Sequence, residues 1–299
     1  KVTSKLNLVE HTLAKELRQL GTKVHFISKP YKGNILRLVK KNKFIVSEIK
    51  PKLSVKRDIR ETFRILKKYK TNLLILDNYN LNLAWEKGIK KHLKKLIVIN
   101  NLTKKHYCDI LINYNFLTDT KKSPSKPYAI NTNVDSKFLF GLRYAILNNE
   151  YQKIKKNIQI KKKLKKINIF FGGFKGSLNL LENAIDVLSN KIFKKIKLDI
   201  VIGLNQKITK RINLKLNQRG NFKIFKNLPN LANLFKNADL AIGCGGTANF
   251  ERLCLGIPSL VFLAAKNQEI LGNILAKKNI KIKIKKKNNQ IDKKHLFKL

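Results

Sequence analysis

The sequence predicts an α/β protein built from two parallel-sheet domains. Short apolar, strand-like runs alternate with amphipathic, helix-like segments, which is the pattern of parallel sheets with crossover helices. The length of 299 residues suits two domains of about 150 residues each, and the 43% hydrophobic content is enough for two cores. A lysine-rich stretch at 151–166 separates two such series. We therefore expect an N-terminal domain at 1–150, a linker at 151–166 and a C-terminal domain at 167–299.

The first series alternates helices and strands in short register. Its first helix has leucines at helical spacing and ends before Gly21, and its third opens with Ser54, a residue type that caps helix N-termini. In chain order the predicted elements are a helix at 8–20, a strand at 24–28, a helix at 34–41, a strand at 44–48, a helix at 54–69, a strand at 73–76, a helix at 85–93, and strands at 96–99 and 110–112. Strands joined by single helices in this way pair in parallel.

The second series repeats the pattern after the lysine-rich stretch. In chain order we predict a strand at 167–171, a helix at 178–189, a strand at 198–202, a helix at 209–217, a strand at 222–225, a short helix at 231–235, a strand at 240–242, a helix from 247 and a strand at 259–263. In open parallel sheets, ligands bind outside the carboxyl ends of the strands, so we expect a cleft there.

The most informative stretch lies at residues 242–252. An apolar strand leads into Gly243, Gly245, Gly246 and Thr247 and then into a helix, which offers backbone amides at a positive helix end to an anion. Glu251 follows Thr247 by about one helical turn, where a carboxylate can accept hydrogen bonds from ribose hydroxyls. This pattern predicts a nucleotide site. The alternative is that the glycines form only a tight turn between strand and helix.

The formal net charge of +47 suggests, at first, a nucleic-acid-binding protein. Only 9 of the 65 basic residues are Arg, however, and the lysines are spread through nearly every segment without an interleaved aromatic stripe. Recognition of phosphates and bases favours the planar, bidentate Arg side chain. We therefore expect no specific nucleic-acid partner and ascribe the charge mainly to a compositional bias, with selected polyanion binding as the alternative.

The cysteines and the hydropathy of the sequence argue against four classes of protein: disulfide-rich, zinc-binding, membrane-spanning and secreted. Three cysteines without C-x-x-C spacing argue against both a disulfide framework and a zinc site, so we expect no metal. The apolar run at 260–265 is far shorter than the roughly 20 residues of a membrane span, and the N-terminal residues contain no secretory core. We expect a cytoplasmic, monomeric protein with no membrane partner.

Several short segments together resemble the UDP-sugar hydrolases of pseudaminic acid biosynthesis, the PseG/SpsG-like family, which is related more distantly to the glycosyltransferase that forms lipid II. The similar segments run in order from the first helix to residue 268. They are Leu13-Ala14-Lys15-Glu16-Leu17, Lys32-Gly33-Asn34, Leu76-Asp77-Asn78-Tyr79, Trp85-Glu86, Cys108-Asp109-Ile110-Leu111, Gly141-Leu142-Arg143-Tyr144-Ala145, Phe171-Gly172-Gly173, Gly245-Gly246-Thr247 with Glu251, and Asn267-Gln268. Each is weak alone, but their order and spacing make the set specific.

The resemblance implies a GT-B-like pair of Rossmann-like domains and hydrolysis of a UDP-activated 2,4-diacetamido-2,4,6-trideoxy hexose, without cofactor or metal. It places Tyr79, Asn267 and Gln268 near the sugar. It also implies that six residues bind the nucleotide: Gly172, Gly173, Gly245, Gly246, Thr247 and Glu251. In that family a histidine acts as the general base that activates the attacking water.

The first loop departs from the family pattern Gly-x-Gly-His-x-x-Arg. An ungapped register places Thr3 and Lys5 on the two glycines, Leu6 on the histidine and Val9 on the arginine. We expect the first strand of the N-terminal domain, which precedes this loop in the family, to be missing. Leucine cannot accept a proton, so we identify no catalytic residue. His11 lies five residues further on and faces another side of the helix. We interpret the remaining histidines, His25, His92, His106 and His295, as structural or solvated.

Three classes of function remain open on these grounds. The first is a UDP-sugar hydrolase with impaired catalysis, and a glycosyltransferase of the GT-B type is its enzymatic alternative. The second is a homologue that binds a nucleotide sugar without catalysis. The third is a lysine-rich polyanion binder on an inherited scaffold.

Overall fold

The fold is described here from a computed structural model, which describes residues 8–31, 36–78, 80–100, 104–115, 136–158, 163–203, 206–226, 228, 230–288 and 290–299. The chain divides into two compact units, Lys1–Leu147 and Asn148–Leu299. Each unit is a parallel α/β structure with its own core, so the predicted alternation of strands and helices is observed in both.

The first unit contains two parallel sheets. Strands β1 and β2 pair with each other, and the other four form a sheet in the order β3-β4-β5-β6. Its elements are α1 (Leu8–Gln19), β1 (His25–Ser28), α2 (Leu36–Lys41), β2 (Ile45–Glu48), α3 (Val55–Lys68), β3 (Leu73–Leu76), α4 (Leu83–Lys90), β4 (Lys95–Ile99), β5 (Ile110–Asn113) and β6 (Lys137–Phe140). Ser54 caps α3 as predicted, since its side chain accepts a hydrogen bond from the Arg57 amide.

The second unit is built on a six-stranded parallel sheet. Its elements are α5 (Asn149–Lys155), β7 (Lys166–Phe170), α6 (Ser177–Leu188), β8 (Lys197–Val201), α7 (Lys210–Arg219), β9 (Phe222–Phe225), α8 (Ala232–Lys236), β10 (Leu240–Cys244), α9 (Thr247–Cys254), β11 (Ser259–Phe262), α10 (Glu269–Lys277), β12 (Ile282–Lys283), β13 (Lys286–Lys287), β14 (Gln290–Ile291) and α11 (Lys293–Lys298). The strand order is β12-β11-β10-β7-β8-β9, and β13 and β14 form a small antiparallel hairpin. This is the strand order of a Rossmann fold.

The stretch predicted as a linker, 151–166, begins inside helix α5. This helix packs on α8 and α9, and Tyr151 is completely buried there. The lysines that gave the stretch its linker-like composition occupy the exposed face of α5 and the residues after it, including Lys153, Lys155 and Lys156. Whether the two units are domains that fold independently stays a prediction.

Candidate functional site

The site predicted from the glycine motifs lies where the strand order of the second unit reverses. After β7 the chain continues towards β8 on one side, and after β10 it continues towards β11 on the other. Phe170 at the end of β7 is paired with Gly243 in β10, so the loops that follow the two strands start side by side. Such a reversal opens a crevice at the carboxyl ends of the strands.

Glycine is required at two positions near this crevice because backbones approach closely. A Cβ on Gly243 would lie 2.3 Å from the Phe170 carbonyl oxygen, and one on Gly203 would lie 2.7 Å from the Cα of Gly173. Any larger residue would therefore push the β7 loop away from β10 or from the loop that follows β8.

Helix α9 starts directly at the crevice. Gly246 is its N-cap residue and Thr247, which is exposed, is its first helical residue. The Gly245 amide donates to the Phe262 carbonyl (3.2 Å) at the end of β11, so this amide is already engaged. The first-turn amides of a helix have no intrahelical acceptor and are the groups that bind anions. An anion is therefore expected at Gly246 and Thr247 rather than at the Gly245 amide.

Gln268 is brought to the same turn from a separate part of the chain. Its Oε1 accepts a hydrogen bond from the Ala264 amide (3.0 Å), and its Nε2 is 3.6 Å from where a Gly246 Cβ would stand. The short 3-10 turn Lys266–Gln268 carries Asn267 too, but the Asn267 side chain lies outside the described part of the structure. The loop after β11 thus lines the start of α9.

A glutamine side chain fixes the loop that follows β7. Gly172 (φ 91°) and Gly176 (φ 102°) both have left-handed φ values that favour glycine, and Gly176 is the N-cap residue of α6. Gln206 Oε1 accepts from the Gly203 amide (2.8 Å), while Gln206 Nε2 donates to Ser177 Oγ (2.5 Å) and to the Phe174 carbonyl (3.3 Å). The loops after β7 and β8 are therefore cross-linked beside the crevice.

Glu251 is half-buried in α9 and has a direct partner that the sequence did not suggest. The Tyr151 hydroxyl donates to its carboxylate, and the same hydroxyl oxygen accepts from the Leu231 amide (3.1 Å). Burial raises the pKa of Glu251 to about 7, whereas the hydrogen bond from Tyr151 and the positive charge of Arg252 act in the opposite direction. A carboxylate has two oxygens, so this bond leaves accepting capacity for a ligand.

Arg252 is completely buried beside Glu251. Its Nη2 donates to the Cys244 carbonyl (2.7 Å), and its Nη1 is 2.7 Å from the position that a Gly243 Cβ would take. Burial lowers the pKa of the guanidinium to about 10, and Nε and Nη1 have no hydrogen-bond partner among the described residues. Arg252 was not among the predicted site residues, although its place directly after the predicted ribose-binding carboxylate was a signal for it.

The structure describes only some of the site residues predicted in the first unit. Leu6 and Tyr79 lie outside the described residues. The His11 ring is buried and packs edge-on against Phe44, with centroids 6.0 Å apart. Its pKa is lowered by burial and by the charges of Lys15 and Arg18. This ring therefore belongs to the core of the first unit.

The Trp85-Glu86 pair has structural partners on two neighbouring segments. Trp85 Nε1 donates to Asp58 Oδ1 (2.8 Å) on α3. Glu86 Oε1 lies 2.7 Å from His106 Nδ1, and Glu86 Oε2 accepts from the Tyr107 amide (2.8 Å). His106 is 4% exposed and Glu86 is 1% exposed. Of the two roles predicted for His106, structural or solvated, its place in a buried carboxylate–imidazole pair with Glu86 corresponds to the structural one.

Within the described ranges there is no group of three or more His, Cys, Asp or Glu that could hold a metal ion. Cys108 and Cys244 are buried, and burial raises the pKa of each thiol to about 12. Among the helices built from those same ranges, none combines the length and the apolar character needed to cross a bilayer.

Comparison with known proteins gives relatives at modest identity, and no family model matches. An uncharacterised protein of Methanocaldococcus jannaschii is 29% identical over 258 residues, which are 84% of this chain and 51% of that protein; the chain thus spans about half of that relative's length. A UDP-2,4-diacetamido-2,4,6-trideoxy-beta-L-altropyranose hydrolase of Campylobacter jejuni is 25% identical over 76% of this chain and 79% of its own. The Bacillus subtilis spore coat polysaccharide biosynthesis protein SpsG is 23% identical over 46% of this chain and 40% of its own. The chain is therefore similar to the PseG/SpsG-like proteins.

Solved structures define the fold. MurG of Acinetobacter baumannii has a TM-score of 0.65 at 14% identity and covers 97% of this chain and 85% of its own. The spinosyn rhamnosyltransferase SpnG, complexed with thymidine diphosphate, has a TM-score of 0.58 at 12% identity and covers 97% of this chain and 86% of its own. These similarities confirm the predicted fold class, two Rossmann-like units of the GT-B type. The ligand roles of the individual site residues stay predictions.

Proposed function

We propose that this chain is a nucleotide-sugar-processing enzyme whose second unit binds UDP. The observation that carries the proposal is the convergence of three loops at the strand-order reversal: the loop after β7, the Gly246–Thr247 start of α9, and the loop that carries Gln268. The diphosphate would lie on the first-turn amides of α9. The Glu251 carboxylate would accept hydrogen bonds from the ribose hydroxyls.

We further propose that the reaction is hydrolysis of a UDP-2,4-diacetamido-2,4,6-trideoxy hexose, as named for the Campylobacter relative. A water would attack the anomeric carbon, the bond from that carbon to the phosphate oxygen would break, and UDP would leave with the electron pair. Helix amides aimed at the leaving diphosphate stabilise the charge that develops on it. Tyr79, Asn267 and Gln268 are the residues proposed to contact the sugar. The compact units would then be the two domains of this enzyme.

Turnover is expected to be slow because Leu6 occupies the position assigned to the general base. General-base catalysis contributes typically about 10²–10⁴-fold, which corresponds to roughly 3–5 kcal/mol of transition-state stabilisation. Binding and turnover should therefore separate in this chain, with UDP binding retained. A triple variant with Thr3→Gly, Lys5→Gly and Leu6→His is expected to release UDP faster than the single variant Leu6→His.

Transfer of the sugar to an acceptor other than water is the second candidate, favoured by the structural similarity to SpnG and other glycosyltransferases. An assay for UDP release with and without candidate acceptor alcohols separates the two reactions. Release that requires an acceptor would favour transfer, and release in its absence favours hydrolysis.

Calorimetric titration with UDP tests the site itself. Glu251→Gln keeps the shape of the side chain but removes its charge, so UDP affinity should fall about 10- to 100-fold, the range for a hydrogen bond to a charged group. Glu61→Gln makes the same change of charge on α3 of the first unit, where the carboxylate pairs with Arg64 at the surface, and should leave the affinity unchanged. No binding by a folded wild-type protein would refute the proposal.

A further inference from the structure

Tyr151 connects helix α5 to the centre of the proposed nucleotide site. Its side chain is completely buried between α5, α8 and α9. A tyrosine hydroxyl has one proton to donate and lone pairs that accept. Here the oxygen accepts from the Leu231 amide at 3.1 Å, and the proton is donated to the Glu251 carboxylate. The backbone amide thus fixes the direction in which Tyr151 donates.

This geometry gives Glu251 a defined orientation. One carboxylate oxygen is held by a neutral donor that cannot move, because the Tyr151 ring is enclosed on all sides. The bond also favours the ionised carboxylate, because the hydroxyl donates a stronger hydrogen bond to a charged oxygen than to a neutral carboxyl. Ribose hydroxyls bond the ionised form more strongly, because a hydrogen bond donated to a charged oxygen is stronger than one donated to a neutral carboxyl.

Few charged groups compete with Tyr151 for this role. Among the described residues, Tyr151 and Arg252 are the groups that act on the ionisation of Glu251, and Arg252 Nη2 donates to the Cys244 carbonyl (2.7 Å). The next titratable groups act on these two partners: Cys244 on β10 acts on Arg252, and Cys254 on α9 acts on Tyr151. Lys155 on α5 in turn acts on Cys254. Burial has already raised the pKa of Glu251 to about 7, so the loss of one stabilising donor changes its ionisation within the physiological range.

We propose that Tyr151 is a positioning residue of the nucleotide site, which orients the Glu251 carboxylate and keeps it ionised for the ribose hydroxyls. This inference rests on the proposed function. Tyr151 does not contact the nucleotide in this proposal, and it acts only through Glu251.

The test is the pH dependence of UDP affinity between pH 6 and 9, measured by calorimetry for wild type and Tyr151→Phe. The wild-type affinity should rise with pH through about 7 and then level off. In Tyr151→Phe the rise should move to higher pH, so that affinity is lost about tenfold at pH 7 and recovers at pH 9. A structural role alone would lower the affinity equally at every pH, and that result would overturn the inference.

Further variants connect the effect to Glu251. In a Glu251→Gln background, Tyr151→Phe should cause little additional loss, whereas equal losses in both backgrounds would refute the coupling. Site-specific 3-fluorotyrosine at position 151 keeps the fold even if the phenylalanine variant does not, and as a stronger donor it should shift the rise to lower pH; an unshifted profile would contradict the inference. Tyr69→Phe, which removes a surface hydroxyl in the first unit, is the control and should not alter the profile.

The two proposals can fail separately. A wild type that binds no UDP at any pH would overturn the proposed function and this inference with it. Wild-type binding with superimposable profiles for Tyr151→Phe would overturn this inference alone.

Discussion

Lys281 is a buried cation whose removal should stabilise the protein. It is 6% exposed, and its Nζ donates to Ser259 Oγ (2.8 Å) and to the Ile257 carbonyl (3.3 Å). Burial and, to a smaller extent, the positive charge of Arg252 together lower the pKa of Lys281 from 10.5 to about 7. Apart from the oxygens it bonds, its surroundings include the apolar side chains of Val261, Leu263 and Leu275.

The magnitude follows from that shift. A pKa difference of this size corresponds to at most about 5 kcal/mol that the folded protein loses when Lys281 is charged. Lys281→Met removes this penalty and two hydrogen bonds, each of which contributes about 1 kcal/mol. The Ile257 carbonyl keeps a donor after the substitution, because Ser259 Oγ donates to it (2.8 Å), and the Ser259 hydroxyl keeps that bond. We expect a net gain of about 2 kcal/mol at pH 7, or roughly 4–8 °C in melting temperature.

The pH dependence provides a second readout. Lys281 binds a proton more weakly in the folded than in the unfolded state, so folding releases that proton between pH 7 and about 10.5. The difference in unfolding free energy between Lys281→Met and wild type should therefore decrease as the pH rises through this window. Below pH 7 the difference should be constant and at its largest.

Thermal and urea unfolding of both proteins from pH 6 to 10 tests the prediction. Lys283→Met is the matched control, because Lys283 lies two residues away, is exposed, and its Nζ donates to Asn273 Oδ1 (2.8 Å) at the surface. That change should stay within about 0.5 kcal/mol. If Lys281→Met were less stable than wild type at pH 7, with no change in the pH slope, Lys281 would be a stabilising group and the reasoning would be wrong.

Three other outcomes are expected. Gly243→Ala should destabilise the protein by about 1–3 kcal/mol or more, because its Cβ would meet a carbonyl oxygen of the neighbouring strand at 2.3 Å. Gly246→Ala has no such contact, so this variant should fold normally but bind UDP more weakly. Melting curves test the stability of both variants, and calorimetry tests their UDP binding. Glu86→Gln should lower the unfolding free energy by about 1.5–3 kcal/mol because it weakens the buried bond to His106, whereas Glu61→Gln should change it by less than about 1 kcal/mol; equal effects of the two would contradict this. Binding to two unrelated oligonucleotides should be equally weak and fall by about 10³–10⁵ between 50 and 200 mM salt, and sequence-dependent binding at the higher salt would instead support a polyanion function.

Much of the fold was predictable because its signals are local. The predicted strands around β7, β8, β9, β10 and β11 all correspond to observed ones, since each is an apolar run bounded by turn residues. The elements after Gln268 were not predicted. Within this region the sequence at 280–285 alternates Ile and Lys, which is ambiguous between strand and helix, and packing on β11 makes β12 a strand. The α11 helix packs on α6, a long-range contact that the sequence does not reveal.

The candidate site was predictable only in its backbone. Gly243 is required by the close approach of β7, and a glycine at such a position is visible in a single sequence. The partners of the polar side chains depend on long-range contacts: Tyr151 meets Glu251 across 100 positions, and Gln206 meets Ser177 across 29. No local pattern distinguishes Tyr151 from the lysine-rich residues around it, which explains why the sequence indicated a linker there.

The cross-link made by Gln206 has a consequence for how fast a ligand can bind. Its amide group bonds both the loop after β7 and the loop after β8, so the two loops are held together before any ligand arrives. A disordered loop would have to lose conformational freedom on binding, and this would reduce affinity and slow the productive encounter. Here association should depend mainly on diffusion and on the strongly positive charge of the chain, so the on-rate for an anionic nucleotide should decrease with added salt while the loops themselves contribute no slow step.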